Sequence, residues 1–154
     1  MDGGEETNNY TSKLTTVTEG EWAGWSCYPG GDPFEDVAGP FYFRIGDDGR
    51  PLCAFRAEHK HMNGGQFMHG GCVMSFADFC LFVIARDAIV GSRSVTATFN
   101  GEFVGTARVG DLVECTGEVV KAGRSMVFVR GIISTGGEPM MSFSSVLKKT
   151  ARPS

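Results

Sequence analysis

The sequence predicts an α+β fold in which an antiparallel sheet of about six strands wraps around one long central helix. Three observations support this prediction: one segment has the length and composition of a buried helix, several runs have the composition of strands, and no alternating β-α-β pattern occurs. An apolar helix of this kind is buried only if the sheet covers it. A chain of 154 residues is long enough for one such domain with its own core.

The predicted helix covers residues 72–88. This segment contains neither glycine nor proline, and apolar residues would lie nearly all the way round the helix. The segment is longer than an ordinary strand, which favours a buried helix. It carries a carboxylate at Asp78 among apolar neighbours. Burying an unpaired carboxylate is costly, so we expect Asp78 to be paired, hydrogen-bonded or partly hydrated. A functional site is one explanation for that cost.

Strand-like runs lie on both sides of this helix, after an irregular stretch at 28–40 that is rich in turn residues. Residues 41–45 and 52–57 flank a turn that contains glycine, which predicts a hairpin. Four more runs follow the helix and are separated by glycine-containing turns: 94–104, 112–121, 126–135 and 140–149. Because the loops between these strands are short, we expect an antiparallel meander.

The beginning of the chain, residues 1–36, is predicted to be an N-terminal tail followed by a short helix or lid, and residues 37–150 to be the folded domain. Residues 1–12 are polar and acidic, so they are expected to fray. A capping box then predicts a short helix that ends at Trp25. Trp22 and Trp25 would share one face of it and form a lid that packs on the domain or, alternatively, contacts substrate.

Composition argues against several classes of protein. A net charge of −4 and an isoelectric point near 5.3 give no general attraction to nucleic acid or to an anionic membrane. Five cysteines form an odd, widely spaced set that fits reduced thiols better than a disulfide framework. The start carries no basic or apolar leader, and no run of 18 apolar residues occurs. We therefore expect a cytoplasmic protein that is neither exported nor inserted in a membrane.

Glycines lie immediately before the predicted helix, in the stretch that begins at Asn63. Glycine allows the backbone to approach a ligand closely, and amides at a helix N-terminus stabilise a developing oxyanion. Gly70 and Gly71 are the candidates for this role. His69 either acts as a general base or packs against the loop and hydrogen-bonds it.

Two further sets of reactive side chains have plainer explanations. Cys72 and Cys80 lie eight residues apart on the predicted helix, where a thiol nucleophile is conceivable but a small buried hydrophobic residue is the favoured interpretation. His59 and His61 alternate along an extended stretch, which hints at a metal pair. No carboxylate or cysteine completes a ligand set nearby, so we expect no metal.

A series of short motifs follows one order along the chain: Asn63, His69-Gly-Gly71, Asp78, Thr96 and the turn Gly123-Arg-Ser125. Together with the order of predicted elements, this series resembles the hotdog-fold acyl-CoA thioesterases, and most closely the PaaI-like branch of the phenylacetate pathway. The resemblance covers roughly residues 37–149. The resemblance is specific because all of these motifs occur in the same order, whereas each motif alone is common.

The resemblance implies a role for each residue of the site. Asp78 would be the nucleophile or the general base for water, and Asn63 would position the thioester or the attacking group. Thr96 would hold the water or the carboxylate, and the Gly70 amide would polarise the thioester carbonyl. Sites of this family lie between two protomers, so Asn63 and Gly70 are expected from one chain and Asp78 and Thr96 from the other.

Coenzyme A also carries phosphates, which a net-acidic protein is expected to bind with basic groups at the mouth of its pocket. The candidate residues for binding substrate or coenzyme A are His69, Gly71, Arg93, Lys121, Gly123, Arg124 and Ser125.

The expected activity is hydrolysis of a medium-chain or aromatic acyl-CoA to the free acid and coenzyme A, by a homodimer or homotetramer and without a cofactor. One alternative is a non-catalytic hotdog domain that binds or senses acyl-CoA. Another is a hotdog hydratase or dehydratase. That class pairs a histidine with a carboxylate, and the helix carries no histidine one or two turns from Asp78.

Overall fold

The computed structural model describes residues 14–151. One antiparallel sheet contains β1 (Thr15–Thr16), β2 (Ser26–Cys27), β3 (Tyr42–Ile45), β4 (Pro51–Arg56), β5 (Arg93–Phe103), β6 (Leu112–Ala122), β7 (Met126–Thr135) and β8 (Glu138–Thr150). The helices are α1 (Pro33–Ala38), α2 (Gly70–Ile84) and α3 (Arg86–Ile89), and a 3₁₀ turn lies at His59–His61. The strands β3 to β8 and the helix α2 confirm the predicted α+β fold.

Strand order departs from the predicted meander. The order across the sheet is β1-β2-β3-β4-β6-β7-β8-β5, so β6, β7 and β8 form a meander but β5 pairs with β8 at the edge. The loop after β5 explains this order, because it is bonded to the end of β4. The amide of Gly110 donates to the carbonyl of Ala57 at 2.8 Å, and the amide of Ala57 donates to the carbonyl of Asp111 at 2.9 Å. These bonds place β6 beside β4.

Helix α2 begins at Gly70, two residues before the predicted start, because His69 caps it. The amide of Gly71 donates to Nδ1 of His69 at 2.8 Å, which satisfies one of the free amides at the helix start. Near its end the chain bends at Ala85, whose ψ is 0°, so the predicted single helix to residue 88 is in fact α2 followed by α3. Neither α2 nor any other helix within residues 14–151 is long and apolar enough to cross a membrane.

The core lies between α2 and the inner face of the sheet. Phe41 and Phe55 from the first hairpin pack with Phe76 and Phe79 from α2, with ring centroids 4.7 to 6.4 Å apart. Burying one such side chain fully stabilises a fold by about 1.5 to 3 kcal/mol. Since Asp78 precedes Phe79 directly, this cluster fixes the part of α2 that carries the carboxylate.

Close contact between α2 and the sheet requires glycine at position 117. A Cβ atom there would lie 2.6 Å from Cδ1 of Ile84 and 2.5 Å from the carbonyl oxygen of Arg130. Gly117 pairs with Gly131 on the neighbouring strand. The C-terminal end of α2 therefore rests on sheet backbone rather than on side chains.

The segment before α1 is a turn between two short strands, and the predicted short helix ending at Trp25 is wrong. β1 pairs with β2, and between them Gly20 and Gly24 adopt φ values of +77° and +86°. Such backbone favours glycine and interrupts a right-handed helix. The prediction for residues 1–12 lies outside the described part of the chain.

Trp22 and Trp25 form a lid on the face of the sheet that points away from α2. The Trp22 ring stacks on Tyr42 with centroids 4.3 Å apart and meets Trp25 edge to face at 5.2 Å. Side chains alternate along a strand, so Tyr42 lies on the opposite face from its neighbour Phe43, which packs against α2. The lid therefore packs on the domain, and the sheet separates it from Asp78.

Helix α1 lies in the stretch that was expected to be irregular. Oδ1 of Asp32 accepts hydrogen bonds from the amides of Phe34 and Glu35, each at 3.0 Å, and Pro33 follows the cap directly. An aspartate before a proline is a typical start of a helix. The sequence therefore contained a local signal for α1.

Candidate active site

The carboxylate of Asp78 is joined to β5 by a hydrogen bond. Oγ1 of Thr96 donates to Oδ1 of Asp78 at 2.6 Å. Asp78 is partly exposed, whereas its neighbours Ala77 and Phe79 are buried. Within residues 14–151 the other carboxylate oxygen has no hydrogen-bond partner. One oxygen is thus fixed and the second is available to a water molecule or a substrate.

The amides at the start of α2 differ in what they bind. The Gly71 amide donates to Nδ1 of His69, whereas the Gly70 amide has no acceptor in the described part of the chain. A Cβ atom on Gly70 would lie 3.2 Å from Cζ of Phe103, so glycine lets this ring cover the helix start. Gly70 is therefore the amide that is available to an oxyanion.

His69 acts in this structure as the cap of α2. Because its Nδ1 accepts a hydrogen bond, the proton of the neutral ring lies on Nε2, which is then a donor. In this state the ring has a donor at Nε2, and its Nδ1 lone pair is already occupied and does not accept a proton from water. The geometry therefore favours the interpretation that His69 hydrogen-bonds the loop over the interpretation that it is a general base.

Asn63 closes the loop that leads to α2. Its Oδ1 accepts from the amides of Gly65 and Phe67 at 2.8 and 3.2 Å, and its own amide donates to the carbonyl of Phe67 at 2.7 Å. The side chain is exposed, and its Nδ2 has no acceptor among residues 14–151. A free amide donor therefore lies in the loop that carries the Gly70 amide.

Within one chain the candidate residues form two separate groups, one with Asn63 and Gly70 and the other with Asp78 and Thr96. Gly70 and Asp78 are eight residues apart on α2, which corresponds to a rise of about 12 Å. A reacting carbonyl must lie about 3 Å from both its oxyanion donor and its base or attacking group. The carboxylate of Asp78 and the Gly70 amide of the same chain are therefore too far apart to contact one carbonyl group.

The predicted basic residues lie towards one end of the sheet. Arg93 is the first residue of β5 and pairs with Thr150 at the end of β8. The β6–β7 turn contains Gly123, Arg124 and Ser125, and its Ser125 carbonyl accepts from the Lys149 amide at 2.8 Å. Lys121, Arg124 and Ser125 are exposed and Gly123 is partly buried. This is the end of β5 that carries Thr96.

The cysteines of α2 are protonated thiols. Burial raises the pKa of Cys72 to about 11. Cys80 is fully buried, and burial raises the pKa of its thiol well above the usual range, with neighbouring thiols adding to the effect. Because the thiolate is the nucleophilic form, the interpretation of both residues as small hydrophobic groups is the one that fits.

His61 is a structural residue. Its Nδ1 accepts from the Glu58 amide at 2.9 Å and its Nε2 lies 2.6 Å from the carbonyl of Ala38, so neither ring nitrogen is available to a metal. Burial lowers the pKa of the ring. Among residues 14–151 no group of three or more His, Cys, Asp or Glu side chains is arranged to hold a metal ion.

Glu35, on the helix α1 that contacts α2, was not predicted as a residue of interest. Glu35 is partly buried on α1, and burial raises its pKa to about 7, with further increases from the negative charges of Asp32, Asp78 and Asp36. The sequence signal for α1 was present, but the contact between α1 and α2 was not visible in it.

Solved structures place this fold in a class. The PaaI protein of E. coli from the phenylacetic acid degradation operon superposes with a TM-score of 0.68 at 19% identity, over 78% of this chain and 86% of that one. A hypothetical thioesterase of Streptococcus pneumoniae with coenzyme A gives a TM-score of 0.65 at 17% identity, over 74% of this chain and 88% of that one. The protein therefore has the hotdog fold of thioesterases.

Comparison of sequences gives the family. The model of the thioesterase superfamily matches residues 59–141, which include Asn63, Gly70, Asp78 and Thr96. A candidate esterase of Pseudomonas aeruginosa is 33% identical over 115 residues, or 74% of this chain and 86% of that protein. Human acyl-coenzyme A thioesterase 13 is 24% identical over 95 residues, or 62% of this chain and 68% of that protein. The chain belongs to the thioesterase superfamily, and its enzyme class is thioester hydrolase.

Proposed function

We propose that this enzyme hydrolyses an acyl-CoA with a medium-chain or aromatic acyl group to the free acid and coenzyme A. The observation that carries the proposal is the carboxylate of Asp78, which Thr96 holds at one oxygen on an otherwise apolar helix. Two of the similar proteins support the choice of thioester, because one is named as an acyl-CoA thioesterase and the other was solved with coenzyme A.

The chemistry follows from the residue types. As general base, Asp78 takes a proton from a water molecule whose oxygen attacks the thioester carbonyl carbon; as nucleophile, it attacks that carbon itself and water then hydrolyses the resulting anhydride. The Gly70 amide donates to the developing oxyanion, and Nδ2 of Asn63 is a second donor. The carbon–sulfur bond breaks, and the thiolate of coenzyme A leaves and takes up a proton. No cofactor is needed.

The site requires a second copy of the chain, and β5 provides the means. Among the strands of residues 14–151, β5 is the last in the order of the sheet, and an edge strand of eleven residues is suited to join another strand. Thr96 and Phe103 lie about 24 Å apart along their own strand. Two-fold pairing of β5 with its copy brings the Thr96 end of one strand towards the Phe103 end of the other. Since Phe103 covers Gly70, each Asp78 then approaches the Gly70 of the other chain.

The surroundings of the two groups fit an acyl-CoA. Phe67, Met74 and Phe103 are exposed near the start of α2, and they offer apolar surface for an acyl chain or ring. The basic residues at the Thr96 end of the sheet, with Arg124 and Lys121 exposed, are suited to the phosphates of coenzyme A.

A panel of acyl-CoAs tests the activity. We expect wild type to release coenzyme A from medium-chain and aromatic substrates, and Asp78→Ala to lose nearly all of this turnover. Asp87→Ala is the matched control, because it removes an exposed acid of the neighbouring helix α3. Tight binding of acyl-CoA by wild type without any turnover contradicts the proposal and favours the non-catalytic binding domain.

Mixed dimers test the shared site. We expect Asp78→Ala and Gly70→Pro chains to be inactive alone, since one lacks the base and the other lacks the amide. Refolded together in equal amounts, they should recover about a quarter of the wild-type activity, because half of the dimers contain one intact site. A mixture that stays inactive while mixed dimers are detected by mass contradicts the two-chain site.

A further inference from the structure

We propose that Ser145 is a positioning residue of the thioesterase site, which fixes a β-bulge in β5 and thereby keeps Thr96 on the side of that strand that faces Asp78. The proposal rests on the proposed function, in which Thr96 holds the carboxylate of Asp78.

Strand β5 contains one residue more than a regular ladder with β8 accommodates. Thr96 pairs with Leu147 of β8. Thr98, two residues further along β5, pairs with Val146, which is the direct neighbour of Leu147. Ala97 therefore has no partner in this register. An extra residue of this kind is a β-bulge, which bends a strand locally and changes the direction of its side chains.

The bulge decides which way Thr96 points. Side chains of a regular strand alternate between its two faces. After the bulge, Phe103 covers the start of α2, and Phe99 stacks on the buried Phe143 with ring centroids 5.9 Å apart. The odd-numbered residues of this part therefore face α2, and an uninterrupted alternation would turn Thr96 away from it. Thr96 nevertheless bonds Asp78, because the extra residue reverses the alternation.

Ser145 lies opposite the bulge and is hydrogen-bonded to it. Its Oγ donates to the carbonyl of Thr98 at 2.5 Å. In the register of the two strands, Ser145 pairs with Phe99, the residue that follows Thr98. The bond therefore joins β8 to the first residue after the bulge and fixes the point at which regular pairing resumes.

The burial of Ser145 supports a specific role for its hydroxyl. Ser145 is 4% exposed, and among residues 14–151 the only other buried polar side chain is that of His61. The next residues on the same face of β8, Phe143 and Leu147, are apolar and buried. A buried hydroxyl is unfavourable unless it is hydrogen-bonded, whereas an apolar side chain at this position has no such cost. The bond to Thr98 is therefore what the hydroxyl contributes.

Without this bond, the extra residue can be taken up at another position along β5. A shift of the pairing by one residue turns a side chain to the opposite face of a sheet. If the bulge passes Thr96 towards the start of the strand, Thr96 turns away from α2 and its hydroxyl leaves Asp78. Ser145 thus acts on the carboxylate through two hydrogen bonds, its own to Thr98 and that of Thr96 to Asp78.

A double-mutant cycle of turnover tests this role. We expect Ser145→Ala to lower kcat by roughly three- to tenfold, with little change in KM, because the Thr96 bond orients the carboxylate and not the substrate. In a Thr96→Ala background the same substitution should lower kcat by less than about 1.5-fold, since the bond through which it acts is already absent. An equal loss in both backgrounds overturns the proposal, because a merely structural role of Ser145 does not depend on Thr96.

Ser144→Ala is the matched control for this cycle. Ser144 precedes Ser145 on β8, but its side chain is exposed on the other face of the sheet. Its substitution should leave kcat unchanged in both backgrounds. A loss in Ser144→Ala as large as that in Ser145→Ala overturns the proposal, because the effect then belongs to the strand and not to the bond.

Carbon-13 NMR of the threonine methyl groups tests the bulge without turnover. The methyl signal of Thr96 depends on its rotamer, which the bond to Asp78 fixes. We expect this signal to move or to split in Ser145→Ala and to stay in place in Ser144→Ala. An unchanged Thr96 signal in Ser145→Ala overturns the inference even if this variant is slow. Absence of acyl-CoA turnover by wild type overturns the proposed function instead, whatever the position of the Thr96 signal.

Discussion

The hydroxyl of Thr96 donates a hydrogen bond of 2.6 Å to Oδ1 of Asp78 and so links the edge strand β5 to the central helix α2. A hydrogen bond to an ionised group is stronger than one between neutral groups. The bond fixes the orientation of the carboxylate and leaves its second oxygen without a hydrogen-bond partner among residues 14–151.

Removing the Thr96 hydroxyl is therefore expected to slow the reaction. Thr96→Ala should lower kcat by about tenfold, because the carboxylate loses its fixed orientation, while Thr96→Ser keeps the donor and most of the activity. Thr98→Ala changes an exposed residue of the same strand and serves as the control. The measurement is steady-state release of coenzyme A. Equal rates for Thr96→Ala and Thr98→Ala would show that the bond is not used.

Two substitutions at Gly70 separate the proposed role of its amide from the effect of added side-chain atoms. Gly70→Pro deletes the amide at the first helical position, where proline is well tolerated, and the extended backbone of His69 before it suits a proline. Gly70→Ala meets the same Phe103 ring but keeps the amide. We expect kcat of Gly70→Pro to be lower than that of Gly70→Ala by roughly 10² to 10³. Similar kcat values for the two variants would contradict the oxyanion role.

Packing of α2 on the sheet predicts a stability effect at Gly117. A Cβ atom there would overlap Ile84 and the Arg130 carbonyl, so Gly117→Ala should lower the free energy of unfolding by about 1 to 3 kcal/mol. Gly64→Ala is the control, since its Cβ meets nothing within 4 Å. Urea unfolding measures both. A Gly117→Ala variant as stable as Gly64→Ala would mean that the helix end shifts away from the sheet at little cost.

His61 predicts a dependence of stability on pH. Burial lowers the pKa of His61 in the folded state below that of the unfolded chain, which is about 6.5. The unfolded chain therefore binds more protons in this window, and the free energy of unfolding decreases as the pH falls from about 6.5 through the lower folded value. A second proton would also break the bond from the Glu58 amide to Nδ1.

Urea titrations over a series of pH values check this prediction. His61→Asn should be less stable than wild type near neutral pH, and its free energy of unfolding should decrease less as the pH falls below about 6.5. His59→Asn should retain the wild-type dependence on pH. Glu35 acts in the opposite direction, because its pKa is raised to about 7 and its contribution is lost as the pH rises. Glu35 is present in wild type and in both histidine variants. The difference between the wild-type and His61→Asn curves therefore gives the contribution of His61 alone. A wild-type slope in His61→Asn would rule out His61 as its source.

Much of the fold was predictable because the signals are local. Composition and turn residues were sufficient for α2 and for the six strands from β3 to β8. The position of β5 was not, because it depends on hydrogen bonds between the loop at 104–111 and Ala57, which are distant in sequence. At the N-terminus the capping pattern predicted a helix, but Gly20 and Gly24 favoured a turn.

The candidate site shows the same division between local and distant signals. Asp78 was recognisable as a carboxylate within an apolar helix, and the structure bonds it to Thr96. The different states of the Gly70 and Gly71 amides depend on the rotamer of His69, which no sequence pattern gives. The position of α1 depends on Lys60 and His61, whose side chains bond the carbonyls of Val37 and Ala38 at the end of that helix. Such contacts arise from tertiary packing.

The lid formed by Trp22 and Trp25 has a spectroscopic consequence. These are the two tryptophans of the chain, and both lie across the sheet from Asp78, with Trp22 stacked on Tyr42. Tryptophan fluorescence therefore reports whether the N-terminal segment is docked on the sheet. Its emission should stay unchanged when an acyl-CoA occupies the site and should shift to the red when the segment detaches.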